Sequence, residues 1–203
     1  MKKNTKMLAL SAMFVALIAV FAQISFPIPG TPIVFTMGIM GVMLTGLMLP
    51  WGYAFLALIV YLLLGAVGLP VFSSFGAGLG TLLGPTGGFL MVYPIMVITA
   101  AGMWRLFQPI ASRKWKNGIV RVLLSEPVLS FLAAEVCMIP CYLGGALWYM
   151  FSAQADWTVS LAATVFPFIW IDLIKAVLSG LLATALRRAL RAARLLPSVS
   201  AHS

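Results

Sequence analysis

Two ionisable residues of opposite charge lie three positions apart in an apolar segment near the carboxyl end of the chain. They are Asp172 and Lys175, and residues at this spacing share one face of a helix. The carboxylate can accept N–H donors and the ammonium can donate to a carbonyl or carboxylate. The pair therefore suits a small polar ligand that carries both donors and acceptors. A structural ion pair that includes Glu135, or a proton relay, remains an alternative.

The composition places these charges in a membrane. The chain is 63% hydrophobic and 8% charged, which is far more apolar than an ordinary soluble domain. Charged groups are costly inside a bilayer, so those that occur there face the protein interior and serve a function. The net charge of +9 could attract nucleic acid, but the basic residues flank apolar spans. We therefore expect a lipid bilayer around the protein and no nucleic-acid partner.

Long apolar stretches predict an all-α polytopic membrane protein with one integral membrane domain, 1–203. Three lysines precede the first stretch, as they would in a secretory signal, but the run of about 20 apolar residues is longer than a signal core and indicates a retained helix. We predict six spans and a basic cytoplasmic tail, at approximately 7–26, 33–49, 52–68, 87–107, 122–150 with a bend at Pro140, 160–186, and 187–203.

The basic residues predict the orientation. Twelve of the thirteen Lys and Arg residues form three basic clusters, namely Lys2/Lys3/Lys6, Arg105/Arg113/Lys114/Lys116/Arg121 and Arg187/Arg188/Arg191/Arg194. Six spans place both termini and the loop after the fourth span on one side of the membrane. All three clusters then face the cytoplasm, as the positive-inside rule requires of a cell-membrane protein.

This topology places three charges at a similar depth. Asp172 precedes Arg187 by 15 residues, or about 22 Å of helix. Glu135 follows Arg121 by 14 residues, or about 21 Å of helix. In a hydrocarbon core of about 30 Å, these carboxylates and Lys175 lie in the outer half. We predict a polar chamber that opens to the outside.

A glycine-rich segment at 68–88 is the second candidate for ligand binding. Irregular backbone at membrane depth is tolerated where it lines a cavity, although a plain connecting loop is the alternative. Thr86 could cap the fourth span, whose amino terminus would favour an anion. Trp148 lies near the predicted chamber mouth and could cover an apolar ring, or it could anchor the protein at the interface. The sequence has no nucleotide-binding motif of the P-loop type, so we do not expect ATP hydrolysis by this chain.

The chain resembles the BioY family, the biotin-binding S components of energy-coupling-factor (ECF) transporters, from about residue 8 to about residue 186. The resemblance lies in five stretches, in order: PIPGTP at 27–32, YLLLGAVGLPVF at 61–72, LGPTGG at 83–88, GALW at 145–148 and PFIWIDLIK at 167–175. The family often has Gln where this chain has Met37, and Tyr where it has Phe89. Either difference could weaken a polar contact with the ligand.

The resemblance implies a six-helix S-component fold that captures biotin from outside the cell. It implies that Asp172 and Lys175 contact the ureido ring. The glycine-rich segment would line the same pocket around Ser73, Ser74 and Phe75. The remaining candidates for substrate binding are Gly84, Thr86, Tyr93, Glu135 and Trp148. No cofactor is expected, since ATP would be used only by partner subunits.

The implied partners are a membrane coupling protein and two ATPase subunits. Small residues allow close helix approach in lipid, so Ala12 and Ala16 in the first span are the predicted docking face. Other classes stay open: an S component for another small vitamin, or a structural membrane subunit. An intramembrane enzyme would need a nucleophile with a base, or a metal cluster. The sequence shows neither, since its single histidine is His202 at the tail, and we do not expect an enzyme.

Overall fold

The computed structural model describes residues 5–29, 31, 33–113 and 115–193 and consists mainly of α-helices. The helices are α1 (Thr5–Gln23), α2 (Gly38–Met48), α3 (Trp51–Ala66), α4 (Gly78–Leu83), α5 (Gly87–Ser112), α6 (Gly118–Leu123), α7 (Glu126–Val136), α8 (Met138–Ser152), α9 (Trp157–Thr164) and α10 (Ile169–Ala192). A hairpin of β1 (Ser25–Pro27) and β2 (Val34–Thr36) follows α1, and a short 3-10 helix covers Ser73–Phe75.

Four apolar helical segments are long enough to cross a membrane: α1, α5, α7 together with α8, and α10. Two shorter apolar helices, α2 and α3, occupy the positions of the second and third predicted spans. The chain is therefore a multi-pass helical membrane protein. The count of six membrane crossings, the single domain and the cytoplasmic termini stay predictions.

Two predicted spans are interrupted. The fifth breaks at Cys137, between α7 and α8, and not at Pro140 itself. Proline lacks an N–H and its ring clashes with the carbonyl four residues earlier, so the disturbance lies in the preceding turn. The span expected at 160–186 divides into α9 and α10, because Pro167 lies in the connection and disfavours a helical conformation before it.

The predicted basic tail begins inside a helix. α10 continues to Ala192, so Arg187, Arg188 and Arg191 lie on its last turns, and Arg187 is buried. Lys2, Lys3, Lys114 and Arg194 lie outside the described residues.

Helix packing brings the later helices together around one core. α10 packs mainly on α7, and α5 packs on α8. The α5–α8 contact depends on two glycines: a Cβ on Gly88 would lie 2.1 Å from the Cβ of Trp148, and a Cβ on Gly145 would lie 2.1 Å from the ring of Phe89. Because neither position has room for a side chain, the two glycines allow α5 and α8 to pack closely. These two helices form one wall of the site.

The exposed side of α10 carries large apolar residues. α10 exposes Trp170, Ile174 and Leu181 on the side away from its buried Asp172 and Lys175. A helix that is apolar on its exposed side and carries its charges inside has the inverse of the soluble pattern. The surrounding medium is therefore lipid, and the charged face of α10 points into the bundle.

Candidate functional site

The centre of the site is the ion pair on the first two turns of α10. Lys175 Nζ donates to Asp172 Oδ1 at 2.9 Å, and each side chain is only 3% exposed. The three-residue spacing brings the two groups together on one helix face. The Lys175 ammonium also lies 4.2 Å from the centre of the Phe35 ring on β2, where the ring face adds a cation–π interaction. The hairpin thus contacts the pair directly.

The pair retains unused hydrogen-bonding capacity. Tyr142 on α8 donates to Asp172 Oδ2 at 2.9 Å, so each carboxylate oxygen has one recorded donor. A carboxylate has about four acceptor sites and an ammonium has three donors. Within the part of the chain that the structure describes, about two acceptor sites on Asp172 and two donors on Lys175 therefore have no partner. A pair that served only structure would be expected to be saturated by the protein.

The pair lies in a pocket between the hairpin and α5, α8 and α10. We call it the polar pocket, with about 580 Å³ of empty space, including the part open to solvent. It is lined by Ile33, Val34, Thr36, Ile39, Ser73, Thr86, Phe89, Leu90, Tyr93, Cys141, Tyr142, Thr164, Phe168, Asp172 and Lys175. The lining is mostly apolar or aromatic, with the charged pair as its most polar part.

The two ends of the polar pocket differ in exposure. Asp172 and Lys175 are buried, whereas Ser73 and Thr86 are partly exposed. The ionised groups therefore lie at the closed end and these two hydroxyl groups lie nearer the solvent. The rings of Phe89 and Phe168 also line the polar pocket and are buried.

The glycine-rich segment is fixed to the end of α1 by side-chain hydrogen bonds. Gln23 accepts from the Phe75 N–H at 2.9 Å and donates to the Phe72 carbonyl at 3.2 Å. Ser25 Oγ accepts from the Ser74 N–H at 3.1 Å. Ser74 and Phe75 have φ values of 55° and 58°, a conformation that costs free energy in residues other than glycine. These bonds offset that cost and hold Ser73 at the pocket.

Five of the ten predicted binding residues line the polar pocket: Ser73, Thr86, Tyr93, Asp172 and Lys175. Tyr93 is buried and stacks on Tyr61, with ring centres 6.4 Å apart.

The other five predicted residues lie outside the lining: Ser74, Phe75, Gly84, Glu135 and Trp148. Phe75 is 69% exposed. Trp148 Nε1 donates to the Gly84 carbonyl at 2.9 Å, so these two residues bond to each other. Glu135 is half-buried and one of its oxygens, Oε1, is buried without a hydrogen-bond partner in the described structure.

Sequence reasoning did not select several residues of the pocket. Tyr142 is the most important of them, because it donates to Asp172. It lies one residue after Cys141 in an apolar run, and nothing in the local sequence indicates a carboxylate partner 30 residues away. Thr36 and Phe35 come from a strand that was predicted as part of a helix. Phe89 was noted only as a difference from the family pattern.

The fold and the pocket together define a class of protein: a helical membrane protein with a largely buried, partly polar site for a small molecule. The BioY family profile matches residues 1–192, and the chain belongs to this family. The resemblance stated from sequence is thereby confirmed.

Biotin transporters of two organisms are similar to this chain over nearly its full length. The chain is 34% identical to the biotin transporter BioY2 of Lactococcus lactis subsp. cremoris, covering 93% of this chain and 94% of that protein. It is 32% identical to the biotin transporter BioY of Thermotoga maritima, covering 88% and 94%. The fold is also similar to the crystal structure of the S-component for biotin from an ECF-type ABC transporter. That match has a TM-score of 0.79 and 24% identity and covers 93% of this chain and 95% of the other.

Proposed function

We propose that this protein is the biotin-binding membrane subunit of an ECF transporter, which captures biotin from outside the cell. The observation that carries the proposal is the buried Asp172–Lys175 pair, which lines a pocket and keeps hydrogen-bonding capacity for a ligand. Membership of the BioY family and the names of its relatives support biotin as the ligand. The protein is not expected to catalyse a reaction.

The ureido group of biotin suits this pair chemically. A ureido ring presents N–H donors and a carbonyl acceptor, and the free acceptor sites of Asp172 and the free donors of Lys175 can satisfy both. The pair is buried, so bonds to it are stronger than the same bonds in water. Tyr142 holds the carboxylate in place from the other side. The ureido ring therefore belongs at the closed end of the polar pocket.

The rest of the ligand would lie toward the open end. The sulfur-containing ring and the aliphatic chain are apolar, as are the walls formed by Phe89, Leu90 and Phe168. The carboxylate would then reach Ser73 and Thr86. Thr86 immediately precedes α5, whose first N–H groups favour an anion. This arrangement uses hydroxyl and backbone donors for the carboxylate and reserves Lys175 for the ureido carbonyl.

We propose further that the protein has six membrane crossings with cytoplasmic termini, and that it docks on a coupling protein with two ATPase subunits. The exposed side of α1 supports this docking site: Ala12 and Ala16 are exposed, while Phe14 and Ile18 face the core. Small side chains on a lipid-facing helix let a partner helix approach closely. An ATP-driven partner also explains how a chain without a P-loop motif could accumulate a scarce vitamin.

Equilibrium binding of labelled biotin to the purified subunit tests the proposal. We expect saturable binding at one site, with unlabelled biotin competing and with thiamine and riboflavin failing to compete. Biotin with its carboxylate converted to an amide should bind more weakly, because it lacks the negative charge. Competition by another vitamin but not by biotin would assign a different substrate. Absence of binding by a correctly folded subunit would reject the capture function.

A further inference from the structure

A second cavity lies at the opposite end of α10, and it combines positive charge with apolar walls. We call it the basic pocket; it has about 1370 Å³ of empty space, part of it open to solvent. Three arginines line it, Arg105 on α5 and Arg187 and Arg191 on α10. Arg187 follows Asp172 by 15 residues on one helix, so the two pockets are about 22 Å apart along its axis. The biotin-binding proposal makes no use of this cavity.

One arginine of the basic pocket is held by the protein. Arg187 is 3% exposed, donates to Glu126 at 2.7 Å and to the Leu47 carbonyl at 3.0 Å, and also bonds to Ser130. Its guanidinium lies 3.8 Å from the centre of the Trp104 ring. These contacts join α2, α5, α7 and α10 and hold the Arg187 guanidinium in one position at the cavity.

The other two arginines lack a counter-ion of their own. Arg191 lies 3.7 Å from Glu126, but that carboxylate is already bonded to Arg187. Arg105 has no carboxylate within 4.0 Å among the described residues. The whole chain has only four Asp and Glu residues, and the other three lie on α7 near the polar pocket, before α9, and in the polar pocket itself. Among the described residues, one carboxylate contacts two of the three arginines and none contacts the third, so the basic pocket keeps a net positive charge that favours an anion from outside the chain.

The walls of the basic pocket indicate what carries that anion. Met7, Leu47 and Leu49 form an apolar surface beside the arginines, and Trp51 and Tyr53 also line the cavity. Tryptophan and tyrosine favour the interface between hydrocarbon and water. A soluble phosphate would use only the arginines, whereas a phospholipid would place its phosphate at the arginines and an acyl chain on the apolar wall. Basic pockets between membrane helices bind lipid head groups in this way.

We propose that the basic pocket binds an anionic phospholipid, with Arg105 and Arg191 contacting its phosphate and Trp51, Tyr53 and Leu49 contacting its apolar part. Occupation would fix the ends of α3, α5 and α10 relative to one another at the membrane surface. The inference depends on the membrane location of the protein and not on the identity of the vitamin that it binds.

Native mass spectrometry of the purified full-length subunit, with phosphatidylglycerol or phosphatidylcholine added, tests the proposal. Two arginines at the membrane surface predict a preference for phosphatidylglycerol of roughly tenfold to thirtyfold. The double variant Arg105→Gln/Arg191→Gln should reduce this preference to less than about threefold. The matched control is Arg113→Gln/Arg188→Gln, which removes the same charge from positions outside the pocket. This control should keep the wild-type preference for phosphatidylglycerol. Arg105→Glu, at an exposed position, is a second variant that changes the charge by the same two units and should reduce the preference for phosphatidylglycerol to a similar extent.

Three results would overturn the proposal. The first is an equal lipid preference in the wild type, the double variant and the control. The second is complete displacement of phosphatidylglycerol by inorganic phosphate, which would show an anion site that does not recognise the lipid chain. The third is loss of coupling-protein binding in the double variant with unchanged lipid preference, which would assign the pocket to a protein partner. Thermal unfolding measured in parallel shows whether each variant is folded.

Discussion

Replacing Asp172 by Asn tests whether the buried pair binds the ligand or only stabilises the helix. The Asp172 carboxylate accepts one bond from Lys175 and one from Tyr142, both at 2.9 Å. An amide keeps nearly the same shape but loses the charge and half of the acceptor capacity. The substitution therefore removes a charge-assisted bond to the ureido N–H without opening a cavity. It also leaves the Lys175 ammonium buried without its carboxylate.

The expected effect on affinity follows from the bond that is lost. A hydrogen bond to a charged group contributes roughly 1.5–3 kcal/mol, and every 1.4 kcal/mol is about a tenfold change in the dissociation constant. Asp172→Asn should therefore weaken biotin binding about ten- to a hundredfold. The unpaired ammonium should lower stability as well, since removing one partner of a buried pair costs roughly 3–5 kcal/mol.

A second substitution separates the two effects. Adding Lys175→Met to Asp172→Asn removes the unpaired charge, so the melting temperature should recover while biotin binding stays weak. Glu126→Gln is the matched control, because it breaks the pair with Arg187 at the other end of α10 and should lower stability without changing the dissociation constant for biotin. Affinity is measured by equilibrium binding and stability by thermal unfolding of the same samples. Normal biotin affinity in a folded Asp172→Asn variant would refute the proposed site.

Three further predictions concern a residue that bonds to Asp172, the docking face on α1 and the orientation in the membrane. Tyr142→Phe should weaken biotin binding about three- to tenfold, measured by equilibrium binding, because it loses one neutral donor to the carboxylate; unchanged affinity would mean that Tyr142 does not orient Asp172. Ala12→Leu/Ala16→Leu should preserve biotin binding but abolish co-purification with the coupling module and ATP-driven uptake, since larger side chains prevent close helix approach; retained uptake would exclude this face as the dock. A cysteine at Asp156 should react with an impermeant reagent added to intact cells, whereas one at Lys116 should not, and the reverse pattern would contradict the predicted orientation.

The sequence was sufficient to predict most of the helical content and the centre of the site. The apolar runs placed α1, α2, α3 and α5 within a few residues of their positions in the structure. The Asp172–Lys175 pair was evident because charge is rare in this chain, so its two members could be paired by helical spacing alone. Local spacing on one helix is the kind of information that a sequence carries directly.

Contacts between distant segments could not be predicted in this way. Tyr142 reaches Asp172 across 30 residues, and Phe35 reaches Lys175 across 140. The hairpin that carries Phe35 lies inside an apolar run that was predicted as helix, because short apolar segments do not distinguish strand from helix. Ser74 and Phe75 were selected for their place in a glycine-rich segment, but the bonds to Gln23 and Ser25 turn them away from the pocket lining.

The two buried ion pairs of α10 show why burial alone does not identify a binding site. Each nitrogen of the Arg187 guanidinium donates to a different protein group, and the Trp104 ring covers one face, so the protein itself holds this guanidinium and joins four helices through it. The Asp172–Lys175 pair has one bond between its members and one from Tyr142. Charged groups inside a membrane protein are costly, so the remaining capacity of this pair favours a ligand that completes its hydrogen bonds. We infer that the remaining capacity marks the amino-terminal end of α10 as the candidate ligand site, whereas Arg187, held by three protein groups, supports the carboxyl-terminal end.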